Sequence, residues 1–140
     1  MRYWDSSALV ALIVQQRASS DVRELYSRDS GVVTWTLSEI EILSALCRLE
    51  REGDLDPDGF RRAVERLDEL FQTVDTVNAF DAVKVRARRL LRTHVLRAAD
   101  ALQLGAALVC VSDDPSRRPF VCLDDRLAAA ARREGFAVLP

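Results

Sequence analysis

The chain has 140 residues, of which 49% are hydrophobic and 30% charged, and its net charge is −2. That length suits a single domain over residues 1–140, with enough apolar content for a core. The longest apolar run, near Leu104–Val111, is too short to cross a membrane, and the acidic balance argues against a general nucleic-acid coat.

Arg2–Trp4 reads as a short strand ending at Asp5, and Ala8–Gln15 as an apolar helix. A second helix covers Ser20–Tyr26, and Gly31 opens a strand at Val32–Thr34. Thr36, with Glu39 three residues on, predicts a capping box and a helix that runs to about Glu52 and stops at Gly53. Asp56-Pro57 starts another helix, with Asp as cap and Pro in the first turn. Phe60, Ala63, Val64, Leu67, Leu70 and Phe71 lie along it at helical spacing. Thr73–Val77 is a strand, followed by helices over about Ala79–Arg92 and Ala98–Cys110. A loop runs from Asp113 to Pro119. Phe120–Leu123 is a buried strand, Asp125–Glu134 a helix and Phe136–Leu139 a last strand. Strands alternating with helices imply a mainly parallel sheet covered on both faces. The helix pair over Thr36–Phe71 reads as an αα-hairpin inserted between strands.

Four acids stand next to segment ends in mostly apolar surroundings: Asp5, Glu41, Asp100 and Asp124. A lone carboxylate is costly in such places. Brought together, the four would repel and could not all stay ionised without a cation. Clustered carboxylates of this kind describe a Mg²⁺ or Mn²⁺ site for phosphodiester chemistry. Ligands of parallel sheets bind beyond the carboxyl ends of the strands, where Asp5 and Asp124 fall. Each acid also has a structural reading. Asp5 reads equally as a helix cap, a task that Ser6 or Ser7 would otherwise take. Asp100 near its helix start has the same alternative, and of Asp124 and Asp125 one caps the following helix. Glu39 and Glu41 are roughly 200° apart on a helix and cannot share a face. Glu41 lies on a stripe with Ser44 and Arg48 that reads equally as a solvent face or as the wall of a polar cleft.

Other residues carry less. Cys47, Cys110 and Cys122 match no zinc spacing, their odd number argues against a disulfide framework, and they read as small buried hydrophobes. Arg86, Arg88, Arg89, Arg92 and Arg97 are either an RNA-backbone contact or, more simply, a solvated helix face. His94, the only histidine, receives no role, and no Walker or Gly-x-Gly loop is present. Trp4, Trp35 and Tyr26 are read as core or groove residues.

Taken in order, the segments resemble the PIN domain, and more narrowly the VapC-type ribonuclease toxins of toxin–antitoxin pairs. The matching segments are Tyr3-Trp4-Asp5-Ser6-Ser7-Ala8, Glu41-Ile42-Leu43-Ser44-Ala45-Leu46, Leu96-Arg97-Ala98-Ala99-Asp100-Ala101-Leu102, and Phe120-Val121-Cys122-Leu123-Asp124-Asp125-Arg126 with the helix that trails it. The resemblance implies a PIN-like three-layer α/β/α sandwich with a central sheet of about five strands. It implies a metal-dependent endoribonuclease in which Asp5, Asp100 and Glu41 hold Mg²⁺ or Mn²⁺ and Asp124 completes the site. It also assigns Glu41 rather than Glu39 to the site, and gives Ser7 the alternatives of orienting Asp5 or a water and of capping the helix. The implied partners are an RNA substrate, a cognate VapB-like antitoxin and a second copy in a homodimer. A cytoplasmic location is expected, with no membrane partner and no signal peptide. Two positions depart from the pattern: Gln103 where many relatives have histidine, and Cys122 where a threonine or serine is usual. Cysteine is a weak donor, so the second change bears on activity. Two competing readings are a phosphoryl-transfer domain of haloacid-dehalogenase or receiver type, disfavoured by Ser7 and by Lys84 being the only lysine, and a catalytically weak PIN-like binding module.

Overall fold

Five short strands form one parallel sheet: β1 (Arg2–Trp4), β2 (Val32–Trp35), β3 (Asp75–Val77), β4 (Phe120–Val121) and β5 (Val138–Leu139). Their spatial order is β3-β2-β1-β4-β5, and every neighbouring pair is parallel. The computed structural model describes all residues from Met1 to Pro140. Chain order reverses direction across the sheet between β1 and β4, and a crevice opens beyond the carboxyl ends of strands at such a point.

Seven helices cover the two faces. They are α1 (Ser6–Ile13), α2 (Ser19–Arg28), α3 (Ser38–Arg51), α4 (Pro57–Phe71), α5 (Phe80–Thr93), α6 (Ala98–Cys110) and α7 (Asp125–Arg133). Successive strand side chains point to opposite faces, and this alternation divides the core. Tyr3, Val33, Trp35 and Phe120 pack with α5, α6 and α7. Trp4, Val32 and Val121 pack with α1 to α4. The result is a three-layer α/β/α sandwich, and the α3–α4 hairpin lies between β2 and β3 as the sequence predicts. Gly53 turns that hairpin with φ of 83°, a left-handed conformation that favours glycine. Asp56 caps α4 by accepting the Gly59 N–H at 2.6 Å, with Pro57 in the first turn. Gly105 lets α6 lie close against α5, since a Cβ there would stand 3.0 Å from the Val83 carbonyl oxygen.

Several predicted details are corrected. The expected capping box of Thr36 and Glu39 is absent: α3 starts at Ser38, and its N-cap, Leu37, makes no side-chain cap. The local signal loses to a tertiary one, because the Ser38 hydroxyl is drawn inward to Thr34 and Gln103. Helix α1 starts at Ser6, because Asp5 rather than Ser6 or Ser7 is its cap. Strands β4 and β5 are two residues each, and a short 3₁₀ turn, Pro115–Arg117, sits in the loop before β4. Cys122 is buried, but Cys47 and Cys110 are only half-buried. Trp4 and Trp35 are core residues, with Tyr26 packed edge-on against Trp4.

Two of the arginines grouped by sequence serve structure. Arg86 pairs with Asp113. Arg89 pairs with Glu134, which also hydrogen-bonds His94 Nε2 at 2.7 Å. His94 is therefore a packed residue, its side chain 6% exposed, tying the end of α5 to the end of α7.

Candidate active site

The four predicted acids come from four separate segments and line one cleft of about 920 Å³. It opens beyond the carboxyl ends of β1 and β4. Ser6, Ser7, Ser44, Arg48 and Arg97 also line it, and Trp35, Leu37, Ile40 and Leu102 are among its apolar walls. Glu41, Ser44 and Arg48 share this wall, so their stripe on α3 is the side of a polar cleft. Glu39 is exposed and is not among the lining residues.

Asp5 follows β1 directly and is 2% exposed. Its backbone N–H donates to the Val121 carbonyl at 3.0 Å, which pins it between the two strands. Its carboxylate accepts the Ala8 and Ser7 N–H groups, both at 3.2 Å, and the Ser7 hydroxyl at 2.8 Å. Asp5 is thus both the helix cap and a cleft residue, so the two sequence readings do not compete. Burial pushes its carboxyl up to about 7 against the relief of those hydrogen bonds, and the charge of Glu41 pushes the same way.

Glu41 stands in the first turn of α3, half-buried. Ser6 Oγ donates to its Oε2 at 2.8 Å and Gln103 Nε2 to its Oε1 at 3.2 Å. Burial raises its carboxyl, and the Asp100 charge adds to the rise. Asp100 lies in the first turn of α6 and accepts the Arg97 N–H at 3.3 Å. Burial raises it too, with a further push from Asp124. Asp124 caps α7 by accepting the Leu127 N–H at 2.8 Å, and Asp125 follows it as an exposed first-turn residue. A line of mutual repulsion therefore runs from Asp5 through Glu41 and Asp100 to Asp124. No three His, Cys, Asp or Glu side chains are gathered tightly enough to grip a metal ion as they stand. The acids share a cleft without forming a closed chelate.

Two features are absent from the sequence reading. Ser7 links the strand ends: its Oγ also accepts the Leu123 N–H at 2.9 Å. Gln103, singled out only as a departure, is 1% exposed and touches Glu41. A polar residue at the inward position of an alanine- and leucine-rich helix was its one visible signal. Cys122 donates weakly to the Asp124 carbonyl at 3.4 Å, where the expected hydroxyl would stand.

A PIN-domain family model matches residues 2–110, a span that includes Asp5, Glu41 and Asp100 and ends before Asp124. Ribonuclease VapC45 and ribonuclease VapC49, from two strains of Mycobacterium tuberculosis, are each 30% identical over 138 residues, which is 99% of this chain and 94% of theirs. The crystal structure of Mycobacterium tuberculosis VapC20, described as a sarcin–ricin loop cleaving toxin, matches with a TM-score of 0.68 at 21% identity, covering 100% of both chains. At that identity the likeness is one of fold.

Proposed function

This chain belongs to the PIN-domain family, among its VapC ribonucleases, and from that premise we propose that it is an endoribonuclease toxin dependent on Mg²⁺ or Mn²⁺ and neutralised by a cognate VapB-like antitoxin. The observation that supports this reading most is the meeting of Asp5, Glu41, Asp100 and Asp124 in one cleft at the sheet's point of reversal. Their donor chemistry fits a hard divalent cation. All four offer carboxylate oxygens, and Mg²⁺ keeps several of its waters and needs only one or two direct carboxylates. Asp5, Asp100 and Glu41 would hold it, some of them through water, with Asp124 completing the set. A cation bound there would lower the pKa of a water and would offset charge developing on the phosphate.

The chain's own residues divide the remaining work. Ser7 holds the Asp5 carboxylate in place, and Ser6 and Gln103 hold that of Glu41. Arg48 and Arg97 line the same cleft and take no part in the protein's salt bridges, which leaves both free to grip phosphates flanking the scissile bond. On this reading the enzyme works as a homodimer in the cytoplasm. No helix is long and apolar enough to cross a membrane.

The test is cleavage of total bacterial RNA by antitoxin-free protein with Mg²⁺ or Mn²⁺, beside Asp5→Ala and Asp100→Ala. Discrete fragments that need the cation and vanish in both variants are expected. No cleavage by a folded wild type that also fails to bind Mn²⁺ would overturn the reading and favour a binding module.

A further inference from the structure

Beneath the cleft lies a chain of buried polar side chains that reaches from the sheet to Glu41. Tyr3, Thr34, Ser38 and Gln103 are each at most 1% exposed, and an unpaired polar group so placed is costly. All four are paired, with one another or with nearby backbone, and their protons have one consistent order. Thr34 has a single hydroxyl proton and gives it to the Trp4 carbonyl at 2.7 Å. Ser38 must then be the donor in its 2.8 Å contact with Thr34. Ser38 Oγ therefore accepts from Gln103 Nε2 at 2.8 Å. Tyr3 donates to Gln103 Oε1 at 2.8 Å. One amide proton remains, and it faces Glu41 Oε1 at 3.2 Å.

Turning the amide over is not an alternative. Its oxygen would then oppose the Glu41 carboxylate, and would meet a Ser38 hydroxyl whose proton is already committed. Gln103 is thus held with a neutral N–H pointed at Glu41. The same chain ends on the carbonyl of the residue before Asp5, so it ties two of the cleft's acids to one rigid frame spanning β1, β2, α3 and α6.

We infer that Gln103 is a positioning residue that acts through Glu41, with Tyr3 and Ser38 as its anchors. The inference rests on the metal-nuclease reading above. The expected effect of breaking the contact is a loss of cation affinity on the order of tenfold to a hundredfold, as for other groups that orient a ligand from behind.

The experiment is a Mn²⁺ titration of the free protein, read by the electron paramagnetic resonance of unbound Mn²⁺, on wild type, Gln103→Met, Glu41→Gln and the double variant. Steady-state RNA cleavage is measured in parallel. Gln103→Met should weaken Mn²⁺ binding and lower kcat while leaving KM for RNA unchanged, and should add little to Glu41→Gln. Tyr3→Phe, which removes one hydroxyl and keeps the ring, should shift Mn²⁺ affinity in the same direction by less, and carries the test if Gln103→Met does not fold. Losses that simply add in the double variant, or a folded Gln103→Met or Tyr3→Phe that binds Mn²⁺ as wild type does, would overturn the inference while leaving the nuclease reading intact. A wild type that binds no Mn²⁺ and cuts no RNA would overturn both.

Discussion

The Ser7 hydroxyl donates to Asp5 Oδ1 at 2.8 Å while accepting the Leu123 N–H at 2.9 Å. One small side chain thus joins the buried acid after β1 to the backbone that follows β4. Ser7→Ala removes both bonds, leaving a partly buried N–H unpaired and the Asp5 carboxylate freer to move. A stability loss of about 1–2 kcal/mol is expected, read as a lower urea midpoint. Cleavage should fall by about tenfold or more, well beyond what the fraction unfolded accounts for.

The arginines should separate by location. Arg97→Ala and Arg48→Ala, at the cleft, are predicted to raise KM for RNA and flatten its salt dependence, because each would remove a proposed phosphate contact. Arg89→Ala, whose partner is Glu134 at the end of α7, should leave KM unchanged and act on stability alone. Kinetics at two salt concentrations, alongside thermal unfolding, distinguish the two groups.

Glu134 gives a pH dependence with a definite sign. Its carboxyl is held below its ordinary value of 4.5, first by the Arg89 guanidinium and also by His94, against a smaller opposing effect of burial. The folded state therefore favours the ionised form. That stabilisation is complete above 4.5 and is lost as pH falls below it toward the folded value. Arg89 is half exposed, so screening keeps the gain near about 1 kcal/mol. Glu134→Gln should be less stable than wild type at neutral pH, and the gap should close as the pH of urea titrations falls below 4.5.

Helix α6 carries both Asp100 and Gln103, and Gly105 sets its approach to α5. A Cβ at Gly105 would meet two backbone atoms of α5, the Val83 carbonyl oxygen at 3.0 Å and the Ala87 nitrogen at 3.3 Å. Backbone yields little, so Gly105→Val should cost about 2–3 kcal/mol by forcing the helices apart. Denaturant unfolding measures this directly.

Much of the architecture was legible because it rests on local pattern. The bounds of β1 and α6, the Asp56-Pro57 start of α4 and the Gly53 stop of α3 agree with the structure to within a residue or so. What escaped was decided by contacts distant in sequence. Thr36 and Glu39 spell a capping box, but the buried bonds of Ser38 to Thr34 and Gln103 move the start of α3 past it. His94 carries no pattern of its own, because its partner Glu134 lies forty positions away. The acids were visible as carboxylates in apolar settings. For Asp5, cap and site residue looked like alternatives, yet a carboxylate has lone pairs enough for both. Gln103 was hardest to read, since its meaning lies in Tyr3, Ser38 and Glu41 together.

The most direct test of the central claim is an anomalous-scattering map from a crystal of the free protein soaked in Mn²⁺. A peak in the cleft, held by Asp5 and Asp100 and reached by Glu41 and Asp124 directly or through water, is the predicted result. An empty cleft at saturating Mn²⁺, or a peak held by other residues, would contradict it.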